Sequence, residues 1–253
     1  MKKLLALVLS ALVLVGCAAK PAEFDKTAVF NDALKNHQNH QKMDVAVTLD
    51  VEMEGLPLGD SMTFTGSYQG NKILKSVDDL EFIAKFTAGS HGVSMGVNLY
   101  GHDGVLYEDG DQVEPSRFVI GERSQELVPT MNTILNLTDI NKLQLTTDAI
   151  AGMEAKRTAT GYQYTVNDST KETVAGLNTV FASYLEEMEL SIEDISFVMD
   201  INETADFQTL TASIALKGGP DNLPIQLKLS VKYNGFDDAV KLDFPNFSRF
   251  KIQ

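Results

Sequence analysis

The groups in this 253-residue chain that could do chemistry are four histidines, one cysteine and several acidic pairs. His37 and His40 stand three apart in a stretch of helical spacing, which puts both imidazoles near one face and suggests a metal pair. His91 and His102 lie elsewhere, and no third ligand follows at a metal-site spacing. The expectation is therefore two exposed helix histidines and no metal. The run from Asp109 to Glu114 (DGDQVE) is acidic enough to suggest calcium, but it lacks the twelve-residue ligand spacing and reads better as a hairpin turn. Asp78-Asp79 and Asp237-Asp238 offer paired carboxylates for acid–base work, yet on so acidic a chain they read as solvated turns. No serine sits in a glycine elbow or beside a histidine. These residues predict a protein that is not an enzyme and needs no cofactor.

The cysteine is different. Lys2 and Lys3 precede an apolar run from Leu4 to Val15, which is of signal-peptide length and too short to span a bilayer at ~20 residues. The run ends in Leu14-Val15-Gly16-Cys17, which resembles the lipobox of bacterial lipoproteins. That resemblance implies a leader over residues 1–16, a diacylglyceryl group on Cys17 and a short lipidated tether over residues 17–23. Palmitate-type anchoring on the extracytoplasmic face of a bacterial membrane, in a Gram-positive cell, is then expected. One chain binds a membrane only reversibly, and two make a stable anchor. With no second cysteine, the fold must stand without disulfides.

Composition bounds the partners. Lys and Arg total 21 against 35 Asp and Glu, a formal net charge of -14, and loss of a leader carrying Lys2 and Lys3 makes the body more acidic still. Such a surface opposes nucleic acid and anionic headgroups. No stretch reads as an interdomain linker, so residues 24–253 are expected to form one domain.

The elements follow from periodicity. Phe24 to Gln41 reads as a helix. Met43, Val45, Val47, Leu49, Val51 and Met53 then alternate with mostly polar residues, the mark of a strand with one wet face. Strands are expected near 62–68, 80–88, 93–100 and 105–107, with turns at Asp103-Gly104 and Asp109-Gly110. Glu122 to Leu137 reads as a second helix, followed by a short strand near 143–145 and a hairpin at Gly161. Ser169, three before Glu172, opens a third helix whose apolar stripe includes Leu177, Phe181 and Tyr184. Three strands follow, marked by Ile195–Ile201, Leu210–Leu216 and Ile225–Tyr233. The tail carries Phe236, Phe244, Phe247 and Phe250, expected to close the core or cap the sheet's mouth, or else to form a partner-binding patch.

The fold class is thus α+β: a large curved antiparallel sheet, an open half-barrel, with about three helices packed on its concave face. A helix covers a strip ~10 Å wide against ~4.8 Å per strand, so three helices cannot cover a flat sheet of that size. The sheet must curl, and a greasy space between sheet and helices follows. Met53, Phe64, Phe82, Leu177, Phe181 and Tyr184 are its expected lining. Met43, Met53, Met62, Met95, Met131, Met188 and Met199 supply adaptable side chains, although methionines also fill ordinary cores.

This order of elements, with Asp-Gly turns beside Tyr100 and Tyr107 and a Pro-containing tail at Asp243-Phe244-Pro245, resembles the LolA/LppX-like open β-barrels. It is most similar to uncharacterised Gram-positive lipoproteins of that group. The resemblance implies a membrane-anchored, non-enzymatic binder of a lipid or acyl chain. The alternative is an envelope protein-interaction module with a fully packed core.

Overall fold

The alternation that opens at Met43 becomes the central strand of one sheet. The computed structural model describes residues 23–53, 61–76, 80–119, 128–129, 131–132, 135–136, 138–143, 145–166, 189–218 and 223–252. In chain order the described elements are α1 (Lys26–Asn39), β1 (Lys42–Met53), β2 (Ser61–Asn71), β3 (Phe82–Ser90), β4 (Val93–His102), β5 (Val105–Gly110) and β6 (Ser116–Val119). Then come α2 (Thr147–Gly152), β7 (Glu154–Arg157), β8 (Gly161–Val166), β9 (Leu190–Asn202), β10 (Phe207–Gly218), β11 (Leu223–Phe236) and β12 (Lys251–Ile252).

All twelve strands share one sheet, in the order β12-β6-β5-β4-β3-β2-β1-β11-β10-β9-β8-β7. Every neighbouring pair is antiparallel except β12 on β6. The result is a large open antiparallel sheet. β7 and β8 form the hairpin expected at Gly161, while β6 and β12 are too short for alternation to mark them.

Register sorts the two faces. Val45, Val47 and Leu49 of β1 stand opposite Tyr233, Val231 and Leu229 of β11 and opposite Tyr68, Gly66 and Phe64 of β2. Ile195, Phe197, Met199 and Ile201 of β9 and Leu210, Ala212, Ile214 and Leu216 of β10 join this face, all buried. The other face is polar across the middle strands. Asp44 accepts hydrogen bonds from Gln69 of β2 (2.8 Å) and Asn234 of β11 (3.0 Å), and Lys228 pairs with Glu52 at 2.8 Å.

α1 lies on the apolar face. Asp25 caps its first turn by accepting from the Ala28 N–H (2.9 Å), and Phe30, Ala33 and His37 are its buried residues. Phe30 meets the rings of Tyr164 (5.0 Å) and Phe207 (5.6 Å) edge-on. Its start is fastened over β8, where Tyr164 donates to the Lys26 carbonyl (2.7 Å) and Phe24 packs on Tyr162 (4.7 Å).

Two helices are complete among the described residues, against about three expected. Residues 128–129, 131–132 and 135–136 are helical, within the stretch expected as the second helix. The stripe with Leu177, Phe181 and Tyr184 lies outside the described residues, as does the leader with Cys17. The strand expected near 143–145 is instead a 3₁₀ turn over Ile140–Leu143, followed by α2 with Thr146 capping the Ala149 N–H (3.1 Å). Ile140 and Leu143, three apart, are both buried, a helical spacing rather than an alternating one. Asp109 and Gly110 end β5 instead of forming a turn.

The tail does not close the core. Phe244, Phe247 and Phe250 pack on the opposite face of the sheet, over Ile83, Tyr100 and Tyr107. Phe247 stacks on Tyr107 at 3.8 Å, and Phe250 is only 5% exposed. Arg249 pairs with the buried Asp109, and the Lys251 N–H reaches the Pro115 carbonyl (3.1 Å). Phe236 alone joins the main core, stacked on His40 at 4.1 Å.

Candidate binding cavity

The apolar face is not filled everywhere. A cavity of about 320 Å³ lies on β1, β2, β3, β4, β10 and β11. Its floor carries Val45, Val47, Leu49, Phe86, Leu227 and Leu229, and Met131, Leu135 and Thr138 cover it from the helical segment. Phe64, Ala88 and Met95 form a row across β2, β3 and β4 by register, and all three line it. Phe64 is 38% exposed and Met95 54% exposed, so the cavity opens at this row, with the exposed Val93 two residues further along β4. An engineered void of ~150 Å³ lined by apolar side chains already admits benzene. Small-molecule pockets begin near ~300 Å³.

Of the residues expected to line such a space, Phe64 does. Met53 packs against the core at the end of β1 and lies outside the cavity wall. Phe82 is fully buried and fills its place instead, stacked on Tyr68 at 5.9 Å. Gly101 makes room for that ring, since a Cβ there would stand 2.6 Å from it. Leu177, Phe181 and Tyr184 lie outside the described residues. Phe86 and Thr138 line the cavity without having been expected to. Phe86 shares the face of Phe82 and Ala84 by simple alternation, while Thr138 gives no sequence signal. Among the methionines, Met43 and Met199 are core, and Met95 and Met131 line the cavity.

Phenols at the edge of the apolar space are kept neutral as donors. Tyr233 donates to the Thr138 carbonyl (2.5 Å) and Tyr68 to the Asn71 carbonyl (2.7 Å). Burial raises both above the ordinary phenol range.

Beyond Thr138 the surroundings turn polar. His37 is 1% exposed, edge-on to Phe207, Tyr233 and Phe236. Its Nε2 stands 3.3 Å from Asp139 Oδ1 outside hydrogen-bond geometry, and neither ring nitrogen has a hydrogen-bond partner. Burial lowers the His37 pKa, which favours the neutral ring. Lys72 Nζ donates to the His37 carbonyl (2.5 Å) and lies 3.8 Å from Asp139. For Asp139, burial acts upward, but His37 and Lys72 outweigh it and hold the carboxyl below its usual range.

His40 does not converge with His37. Its ring bridges Asp237 (2.7 Å) and Asp206 (3.1 Å). Glu81, His102 and Asp103 bring ligand atoms within 4.8 Å of one another. An imidazole between two carboxylates, hydrogen-bonded to Glu81 at 3.1 Å and 3.5 Å from Asp103, accounts for that arrangement without a metal.

No family model matches the chain, and no curated protein matches it. Among solved structures it is similar to the ywiB protein of Bacillus subtilis, with 10% identity and a TM-score of 0.21 over 77% of this chain and 94% of that one. It is also similar to a LolA superfamily protein of Nitrosomonas europaea, with 8% identity and a TM-score of 0.24 over 87% of this chain and 99% of that one. A TesB protein of Mycobacterium avium follows, with 11% identity and a TM-score of 0.12 over 85% and 90%. Scores this low carry no argument, and the fold rests on the strand pairing itself.

Proposed function

We propose that this protein binds an apolar ligand, a lipid or acyl chain, between the sheet and its helical cover, without chemical turnover. The observation that carries the reading is the cavity itself: about 320 Å³, walled by aliphatic and aromatic side chains and open at the Phe64–Ala88–Met95 row. We further propose that Cys17 of the Leu14-Val15-Gly16-Cys17 stretch carries the lipid that holds the domain on the extracytoplasmic face of a bacterial membrane. Among the described residues no helix is long and apolar enough to cross a bilayer. α1 begins over β8, a strand that contributes no residue to the cavity wall.

The test uses the full-length protein, extracted and stripped of bound lipid. A fluorescent fatty acid should bind at one site and be lost on Ala88→Phe, which fills the mouth. Absence of binding to the unmodified protein sinks the reading. Radiolabelled palmitate should enter the unmodified chain and not Cys17→Ser.

A further inference from the structure

A second space lies behind the cover of the apolar cavity. A polar cleft of about 640 Å³ runs past Gln38, Gln41, Asn71, Lys72, Lys75 and Asp139. It shares Lys72, Ile73 and Asp139 with a lobe of about 240 Å³, which Asn132, Leu135, Asn136 and Lys142 also line. Leu135 lines both this lobe and the apolar cavity, so the two spaces share a wall residue.

The lobe gathers positive charge in a protein of net charge -14. Lys72 is 8% exposed, a burial an ammonium tolerates only with partners. One of its three N–H groups satisfies the His37 carbonyl in the last turn of α1. Lys142 brings a second ammonium, close enough for the like charges to oppose one another. Among the described residues the lobe's one carboxylate is Asp139, and it is already engaged: Oδ1 accepts from the Asn141 N–H (3.1 Å) and side-chain amide (3.0 Å), faces His37 and lies 3.8 Å from Lys72 itself. Glu81 and Asp103 line only the wider cleft, where Lys75 adds a third ammonium and His40 is held between its two aspartates. Two ammoniums beside an already engaged carboxylate, against an apolar wall, suit an anionic oxoacid group.

We propose that the Lys72–Lys142 lobe binds a phosphate-class anion, and that it does so as the head of the ligand whose chain occupies the apolar cavity. The second half rests on the function proposed above, and the first stands without it. The experiment is calorimetry on the full-length, lipid-stripped protein with decyl phosphate, decanol and inorganic phosphate, repeated on Lys142→Gln. Decyl phosphate should bind roughly ten-fold or more tighter than decanol, and Lys142→Gln should remove that advantage while leaving decanol binding and the melting temperature in place. If inorganic phosphate alone binds as tightly as decyl phosphate, depends on Lys142, and decanol does not bind, the anion site stands with a free anion as its source and the apolar-ligand reading falls. If decanol and decyl phosphate bind equally, the anion site falls and the apolar reading stands. If none binds, both fall.

Discussion

The ammonium of Lys72 lies 2.5 Å from the carbonyl oxygen of His37, in the last turn of α1. The contact ties the chain just after β2 to the end of the first helix, where Lys72 is buried to 8% exposure. Removing Lys72 leaves an unpaired carbonyl and a partly buried Asp139 carboxylate. Lys72→Met should therefore cost about 3 kcal/mol of stability, measured by urea unfolding, and the double variant Lys72→Met/Asp139→Asn should recover part of it.

Acid should loosen the same region. His37 is held below its ordinary pKa in the fold, so the unfolded chain binds its proton first as pH falls. The stability it contributes is fully present above pH ~6.5 and is lost as pH drops from there toward the folded value. Asp139, also lowered, adds a second loss below its ordinary pKa of 3.8. Unfolding free energies at pH 7.5, 6.5 and 5.5 should decline in that order, and His37→Asn should flatten the decline.

The tail phenylalanines are structural in this fold. Phe250→Ala should lower stability by about 3 kcal/mol, the usual cost of emptying a buried aromatic site. Deleting residues 243–253 should lower the melting temperature and raise the exposure of Ile83 and Tyr100, read by hydrogen exchange on β3 and β4. An unchanged melting temperature would return the tail to the role of a docking patch.

Filling the cavity should stabilise the empty protein while blocking the ligand. Val47→Phe places a ring against Leu135 and Leu229 in space that is now open. A gain of up to about 1 kcal/mol in thermal unfolding is expected, together with loss of fluorescent fatty-acid binding. A destabilised variant that still binds the probe would show that the space is not where the ligand goes.

Much of the sheet was legible because its middle strands are wet on one side. Most of the large apolar residues of β1, β9, β10 and β11 had a polar neighbour to mark their face. Where both faces are covered, alternation fails, and the sequence carries apolar doublets instead: Phe82-Ile83, Leu99-Tyr100 and Leu106-Tyr107. Those doublets were the signal that something packs on the second face, and the tail does. Phe64 was legible as lining because it sits on a strand with a readable face. Phe82 shares that face yet fills a slot beside Gly101, and only tertiary packing distinguishes the two. The Lys72–Asp139–His37 contact brings together residues up to 102 positions apart in the chain, from a loop, a turn and a helix, and no local spacing announces it.

The sheet is two meanders joined along a single seam. One runs from β1 to β6, the other from β7 to β11, and they meet only where β1 pairs with β11. Met43 lies opposite Phe236 there, so almost the whole chain must emerge before the seam can form. Until then β1 is an edge, long and apolar on one face, with its N–H and C=O groups unpaired on that side. Folding is thus governed by its last long strand: contacts of such sequence separation form slowly. A chain delivered from its first residue onward exposes a pairing-competent edge until β11 arrives.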